Sequence, residues 1–232
     1  MSRRNKLQKF AEVLSFPNVY ENFDTSSPSL AGQYGEEVDL KGQWAARHFK
    51  NNNPITLELA CGKGEYTLGL AQRFPDRNFI GVDIKGARIW RGAKTALAEG
   101  IENAAYLRTR IEQITYFFAE NEIDEIWITF PDPFLKKGKS NRRLTSPNFL
   151  KHFSKILKNK GLIHLKTDDD TLYGFTLETL AEQKLYNLLY HDNDIYSKPL
   201  IMPELEIKTF YESKHLSIGK TIKYVRFQLD NS

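Results

Sequence analysis

Cysteine is nearly absent. Cys61 is the only one in 232 residues, so no disulfide can form within the chain, and a disulfide-stapled extracellular scaffold is excluded. No apolar run approaches the roughly 20 residues of a membrane-spanning helix. The polar N-terminus has no signal-peptide core, so the expectation is an intracellular protein, cytoplasmic in a bacterium, with no membrane partner. Histidine is also sparse. The five histidines show no metal-ligand spacing, and no Ser–His–Asp arrangement can be argued. Neither a metal site nor a serine hydrolase is expected. Charge of one sign is in small excess only, +4 net, so the overall field is weak. The basic residues are uneven, however. Arg3, Arg4, Lys6 and Lys9 cluster at the start, and Lys136, Lys137, Lys139, Arg142 and Arg143 stand together with no acid among them. Local basic patches on a near-neutral body suit a nucleic-acid partner better than a membrane.

What is present is an alternation of strand and helix patterns from Ile55 onward. Ile55 to Ala60 reads as a strand, and Thr67, Leu70, Ala71 and Phe74 as a helical stripe ended by Pro75. Asn78 to Val82 is a second strand closing on Asp83, and Ile89, Trp90, Ala93 and Leu97 mark a helix stopped by Gly100. Ala105 to Leu107 is a short strand, and Ile114 to Phe118 a short helix. Ile126 to Phe130 is a buried strand. Ser146-Pro147 resembles an N-cap with proline at the first helical position, opening a helix that Gly161 stops. Leu162 to Leu165 and Leu185 to Tyr190 are strands around a helix at 171–183. A short helix around 205–213 precedes the last strand, Ile222 to Leu229. Such alternation implies an α/β fold with a mostly parallel sheet, seven strands by this count, and helices on both faces. Residues 1–50 read differently, as an arm, a long loop at 15–35 and a short helix from Leu40 to Phe49 with Trp44 and Phe49 inward. The expected organisation is an N-terminal extension, 1–50, and one domain, 51–232.

Three stretches carry chemistry. Cys61-Gly62-Lys63-Gly64 follows a strand and opens a helix, where Gly62 and Gly64 permit close backbone approach and the helix start offers unpaired N–H groups. Asp83 ends the next strand at roughly the 20-residue spacing of a ribose-binding carboxylate. Residue 67 is Thr, where a dinucleotide site wants a third glycine, and the acids Glu58 and Asp132 would repel a pyrophosphate. They suit a cation, and S-adenosyl-L-methionine carries a sulfonium and an ammonium. The second stretch, Glu125 to Arg143, ends a strand on Pro131-Asp132-Pro133. The prolines stiffen the turn and put Asp132 at a strand's carboxyl end, where open α/β sheets bind ligands. It partly resembles the Asp/Asn-Pro-Pro-Tyr/Phe turn of amino-group methyltransferases of nucleic acids. The basic run after it would hold phosphates; the competing reading is a solvated loop. In the third stretch, Lys166-Thr167-Asp168, Asp168 could accept from a guanine's N1–H and amino group, or simply cap the following helix.

Together these residues resemble the bacterial tRNA (guanine-N7-)-methyltransferase family, TrmB. The likeness runs through Leu57 to Gly64, Ile80 to Asp83, Phe130 to Pro133 with Lys136-Lys137 and Asn141 to Leu144, then His164 to Asp168 and Thr209-Phe210-Tyr211-Glu212, about 55–215 in family order. It implies the Rossmann-like S-adenosylmethionine-dependent fold with an antiparallel last strand, and methyl transfer to N7 of guanine 46 in the tRNA variable loop. It implies Glu58, Asp83 and Asp132 at the methyl donor. Lys136, Asp168 and the segment Thr209, Phe210, Tyr211, Glu212 are implied at the tRNA substrate, while Thr209 to Glu212 is uninterpretable from spacing alone. The family usually has Phe or Gly in place of Cys61 and Trp in place of Phe134. Its adenine-facing carboxylate after the third strand falls on Arg110. A guanidinium cannot accept a hydrogen bond, so main-chain carbonyls of 108–112 or Glu112 are the replacements. Asp132 is the candidate catalytic residue. Lys137, Arg142 and Arg143 are candidate phosphate contacts. The state expected is monomer or homodimer. The alternatives are an exocyclic-amine methyltransferase and a non-catalytic RNA-binding protein on this fold.

Overall fold

The computed structural model describes residues 6–230. Arg3 and Arg4 lie outside them, as do the side chains of Lys6 and Lys137. Packing divides the chain into two compact units, Met1–Ala119 and Glu120–Ser232.

The first unit contains α1 (Lys6–Val13), β1 (Val19–Glu21), β2 (Leu30–Ala31), β3 (Glu37–Val38), β4 (Ile55–Leu59), α2 (Glu65–Arg73), β5 (Asn78–Asp83), α3 (Gly86–Ala98), β6 (Ala104–Arg108) and α4 (Ile114–Phe117). Its strands lie in the order β3-β2-β1-β6-β5-β4. From β1 to β4 the pairing is parallel, with Glu58 opposite Gly81 and Asp83 opposite Arg108. The middle strands are largely apolar and buried at every residue of β4 and β5, as parallel strands covered on both faces require.

The N-terminal stretch differs from its reading as arm and loop. It supplies three short strands, and β1 pairs in parallel with β6. Val13, Phe16 and Val19 pack on Ile89, Ala93 and Tyr106. Burying such side chains is worth about 1.5–3 kcal/mol each, enough to hold a segment whose polarity hides its few anchors. The helix expected at 40–49 is a π-helical turn, Trp44–Phe49. Gly42, at φ +73°, breaks regular helix before it, and Trp44 is drawn inward, donating from Nε1 to the Phe117 carbonyl at 2.8 Å and stacking on Phe118. Phe49 is half-buried.

The second unit contains β7 (Ile123–Thr129), α5 (Pro147–Ile156), β8 (Leu157–Thr167), α6 (Asp170–Glu182), β9 (Tyr186–Asp192), α7 (Phe210–Ser217) and β10 (Lys223–Leu229). Its order is β7-β8-β10-β9. β7 and β8 are parallel, with Thr129 opposite Lys166; β10 runs antiparallel to both β8 and β9. The mostly parallel sheet with an antiparallel last strand is therefore as expected. The count among the described residues is ten strands rather than seven, because β1, β2 and β3 carry too few residues to show a period.

Several boundaries moved, two of them at helices. α5 ends at Ile156, before Gly161, because Leu157 turns extended and buries itself in register with Ile123, while the next strand pair is Glu125 with Leu162. The helix expected at 205–213 starts at Phe210, where the Thr209 side chain caps it by accepting from the Glu212 N–H at 3.1 Å. No helix among the described residues is long and apolar enough to cross a membrane.

Candidate active site

In the first unit, β4 runs into a reversal built on positive φ at Ala60 (59°), Gly62 (58°) and Gly64 (69°). Asp83, at the end of β5, closes this loop from the side. Its Oδ2 accepts from Gly62 N–H at 2.9 Å and its Oδ1 from Lys85 N–H at 2.7 Å. Glu58 is 2 % exposed. Its Oε2 accepts from both the backbone N–H and the hydroxyl of Thr67, at 2.8 Å for the former. Thr67 therefore replaces the missing third glycine with a bond that orients Glu58, and residue type alone did not reveal that. Gly81 makes room for it, since a Cβ there would come within 2.8 Å of the Thr67 hydroxyl. The two glycines of the turn differ. Gly64 has its open side filled, a Cβ meeting the Tyr106 ring at 2.4 Å, whereas on Gly62 a Cβ would meet nothing closer than the Ala60 oxygen at 4.0 Å. Asp83, bonded to Gly62 beside this open space, and Glu58, buried in the strand that leads into the turn, are two carboxylates that fit a ligand bearing positive charge and hydroxyls. Burial, then the charges of Glu58 and Asp83, push the Cys61 thiol well up, which leaves it inert as a nucleophile.

Arg110 is exposed and precedes a turn, Ile111–Gln113, whose last N–H returns to its carbonyl at 2.9 Å. The carbonyls of Arg108 and Ile111 also accept main-chain hydrogen bonds, from Asn22 and Ile114. Asn22 further bonds Thr109 and Gln113, so the N-terminal stretch holds this loop. Glu112 is exposed.

In the second unit, β7 ends at Phe130, whose φ is 48°, and Phe134 follows at 43°. Such angles are costly outside glycine and persist where surroundings enforce them. Between them Asp132 is exposed, its Oδ1 accepting from Phe134 N–H at 3.0 Å. Phe130 is tied by its N–H to the Lys166 carbonyl at 2.8 Å, and at Phe134 the enforcing group is Arg143. Its Nε donates to the Pro133 carbonyl at 2.9 Å and its Nη2 to that of Phe134 at 3.2 Å, with the guanidinium 4.5 Å from the Phe175 ring. Arg143, expected to face phosphate, is 5 % exposed, drawn inward against Phe175 and the turn. Lys136 and Arg142 are exposed, Arg142 lying over the Phe134 ring at 4.8 Å. Ser146 precedes α5 without capping it, its hydroxyl donating to the Asn141 carbonyl instead.

The cap of α6 is Asp169, which accepts from Leu172 N–H at 2.7 Å, so Asp168 is not used that way. The Thr209-x-x-Glu212 spacing is a helix-capping signature, legible in sequence though not read there. Phe210 and Tyr211 are exposed beside the cap. Glu212, expected at the substrate, is fully buried beneath them. It pairs with Lys166 Nζ at 2.7 Å and accepts from Tyr196 OH at 2.6 Å, while Lys166 also donates to the Leu205 and Ile207 carbonyls. Burial lowers the Lys166 pKa against the opposing pull of Glu212. Among the described residues no group of three His, Cys, Asp or Glu could hold a metal.

The chain matches the family model described as "Putative methyltransferase" over residues 52–225. Its fold resembles solved methyltransferases. A 16S rRNA methyltransferase, KamB, gives a TM-score of 0.63 at 12 % identity (84 % of this chain, 96 % of that one). A mutant of the 16S rRNA (adenine(1408)-N(1))-methyltransferase from Catenulisporales acidiphilia gives 0.57 at 15 % (84 % and 94 %). The class is thus a Rossmann-like methyltransferase. Within it, a tRNA (guanine-N(7)-)-methyltransferase of Christiangramia forsetii is 48 % identical over 99 % of this chain and 100 % of its own length. Proteins of the same name are 52 % identical in Porphyromonas gingivalis (93 % and 86 %) and 35 % in Brevibacillus brevis (78 % and 83 %). The chain belongs to the tRNA (guanine-N(7)-)-methyltransferase family.

Proposed function

We propose that this chain transfers a methyl group from S-adenosyl-L-methionine to N7 of a guanine in tRNA, at position 46 of the variable loop. The observation that carries this reading is a buried Asp83 bonded to Gly62 at the open side of the turn, with Glu58 buried in the strand leading into it, in a member of this family. The donor supplies an electrophilic methyl on a sulfonium. Glu58 and Asp83 bind its charged and hydroxyl groups, with Gly62 giving access and the loop at Arg110 receiving the adenine. Guanine N7 has an in-plane lone pair and no proton, so no general base is needed, and alignment supplies much of the barrier reduction. Asp132 stabilises positive charge as it develops on the purine. Asp168 holds the base, Phe210 and Tyr211 offer it stacking faces, and Lys136, Lys137 and Arg142 meet phosphates. Thr209 and Glu212 support this surface from within. In this reading residues 51–232 form the methyltransferase body and 1–50 its extension, and the protein acts in the cytoplasm as monomer or homodimer.

The test is tRNA from a strain lacking the enzyme, incubated with this protein and the donor. N7 methylation leaves a cationic guanine whose ring opens on reduction and whose strand breaks with aniline, so a single cut in the variable loop is expected. Intact tRNA carrying a methylated exocyclic amine would overturn the reading in favour of an amino-group methyltransferase.

A further inference from the structure

The carboxylate of Asp168 is bonded unevenly. Lys220 Nζ donates to Oδ2, and His215 Nδ1 lies 3.4 Å from the same oxygen. Among the described residues nothing donates to Oδ1. The Asp168 side chain is 15 % exposed, that of Lys220 47 %. A surface ion pair is ordinarily worth little, but this one is built. His215 sits in the last turn of α7 with its ring stacked on Phe130, centroids 6.0 Å apart. Gly219, at φ +76°, then reverses the chain, Gly219 N–H bonding Leu216 O and Lys220 N–H bonding His215 O. The reversal sends Lys220 back to Asp168. From the other side Lys223 Nζ donates to the Asp168 carbonyl at 3.2 Å, and Asp169 takes over the helix cap.

We propose that Lys220, with His215 beside it, is a specificity-determining residue that reads O6 of the target guanine. The proposal rests on the reading above that Asp168 receives that base. Along the cluster the polarity runs donor (Lys220), acceptor (Oδ2), acceptor (Oδ1). The Watson–Crick edge of guanine runs acceptor (O6), donor (N1–H), donor (2-amino), the complement in the same order. A carboxylate taking N1–H on Oδ2 and the amino group on Oδ1 brings O6 to the side where Lys220 stands. Adenine reverses two of the three positions. Its amino group would face the ammonium and its bare N1 the carboxylate, so both contacts repel. Guanine selection then comes from a donor beside the carboxylate and not from the carboxylate alone.

The test uses the full-length enzyme and tRNA assembled with either guanosine or 6-thioguanosine at the methylated position. Sulfur leaves N1–H and the amino group in place but is the weaker acceptor. Wild type should lose about 10-fold in kcat/KM on the thio substrate. Lys220→Met should lose about 10- to 100-fold on guanosine, the scale of a charge-assisted hydrogen bond. It should then be indifferent to sulfur, with donor affinity by calorimetry unchanged. Lys220→Arg should recover most of the activity. Full activity of Lys220→Met on guanosine, or a sulfur penalty that persists in it undiminished, would overturn the proposal while leaving the functional reading intact. Wild-type enzyme that forms no 7-methylguanosine would overturn that reading, and this proposal with it.

Discussion

Ala60, just past β4, and Phe130, just past β7, both hold positive φ, at 59° and 48°, yet the carboxylates beside them are held in opposite ways. Glu58 and Asp83 are buried; Glu58 accepts from the N–H and hydroxyl of Thr67, and Asp83 from the N–H groups of Gly62 and Lys85. Asp132 is exposed and accepts one, from Phe134. Its position is set not by its own bonds but by Arg143, which ties down the carbonyls of Pro133 and Phe134. The first arrangement is a carboxylate that holds its loop. The second is a loop, held by a buried cation, that presents a carboxylate. The difference teaches that stability and activity should separate between the two ends.

The sharpest break would come at Asp132. Asp132→Ala should lose roughly 10²–10³-fold in kcat, the scale of one well-placed electrostatic group, with the thermal unfolding midpoint unchanged. Near-normal turnover would remove Asp132 from the chemistry. Asp83→Ala should show the converse. Two main-chain N–H groups lose their acceptor, so chemical denaturation should read a loss of roughly 1–3 kcal/mol, together with weaker donor binding. If stability held, the loop would not depend on Asp83.

The adjacent arginines sharpen the second arrangement. Arg143→Ala should lower turnover about 10- to 100-fold by letting the Asp132 turn shift, since a displacement near 1 Å costs on the order of 10²-fold, and should leave the salt dependence of tRNA binding unchanged. Arg142→Ala together with Lys136→Ala should do the reverse, flattening the salt slope by up to about 0.9 log units per lost phosphate contact with turnover at saturation kept. Identical behaviour of the two variants would erase the distinction between brace and clamp.

The smallest effect is expected at the loop holding Arg110. The carbonyls of Arg108, Arg110 and Ile111 already accept hydrogen bonds, and under the proposed function main-chain carbonyls of this loop receive the donor's adenine. On that view the Glu112 side chain is idle, and Glu112→Ala should leave donor affinity by calorimetry within about 0.5 kcal/mol. A loss of about 1 kcal/mol or more, one hydrogen bond, would show that the carboxylate absent at Arg110 has moved two residues along.

Strand and helix periods from Ile55 onward were legible because each element is long enough to repeat its pattern against a core. β2 and β3, two residues each, were not; no period exists in two residues, and only pairing defines them. Glu58, Asp83 and Asp132 could be named from sequence because a carboxylate at the end of an apolar strand needs a reason to be there. Thr67 could not, because its bond to Glu58 depends on how α2 packs against β4. Residue type and order determined the class of fold, the glycine turn and the charges available. Only the tertiary structure decided that, of two neighbouring arginines with the same chemistry, Arg142 faces water and Arg143 braces a turn, and that Glu212 lies under the surface it was expected to form. Charge belongs to a residue, but burial belongs to its neighbours, and here those neighbours, Phe175 for Arg143 and Lys166 for Glu212, are distant along the chain.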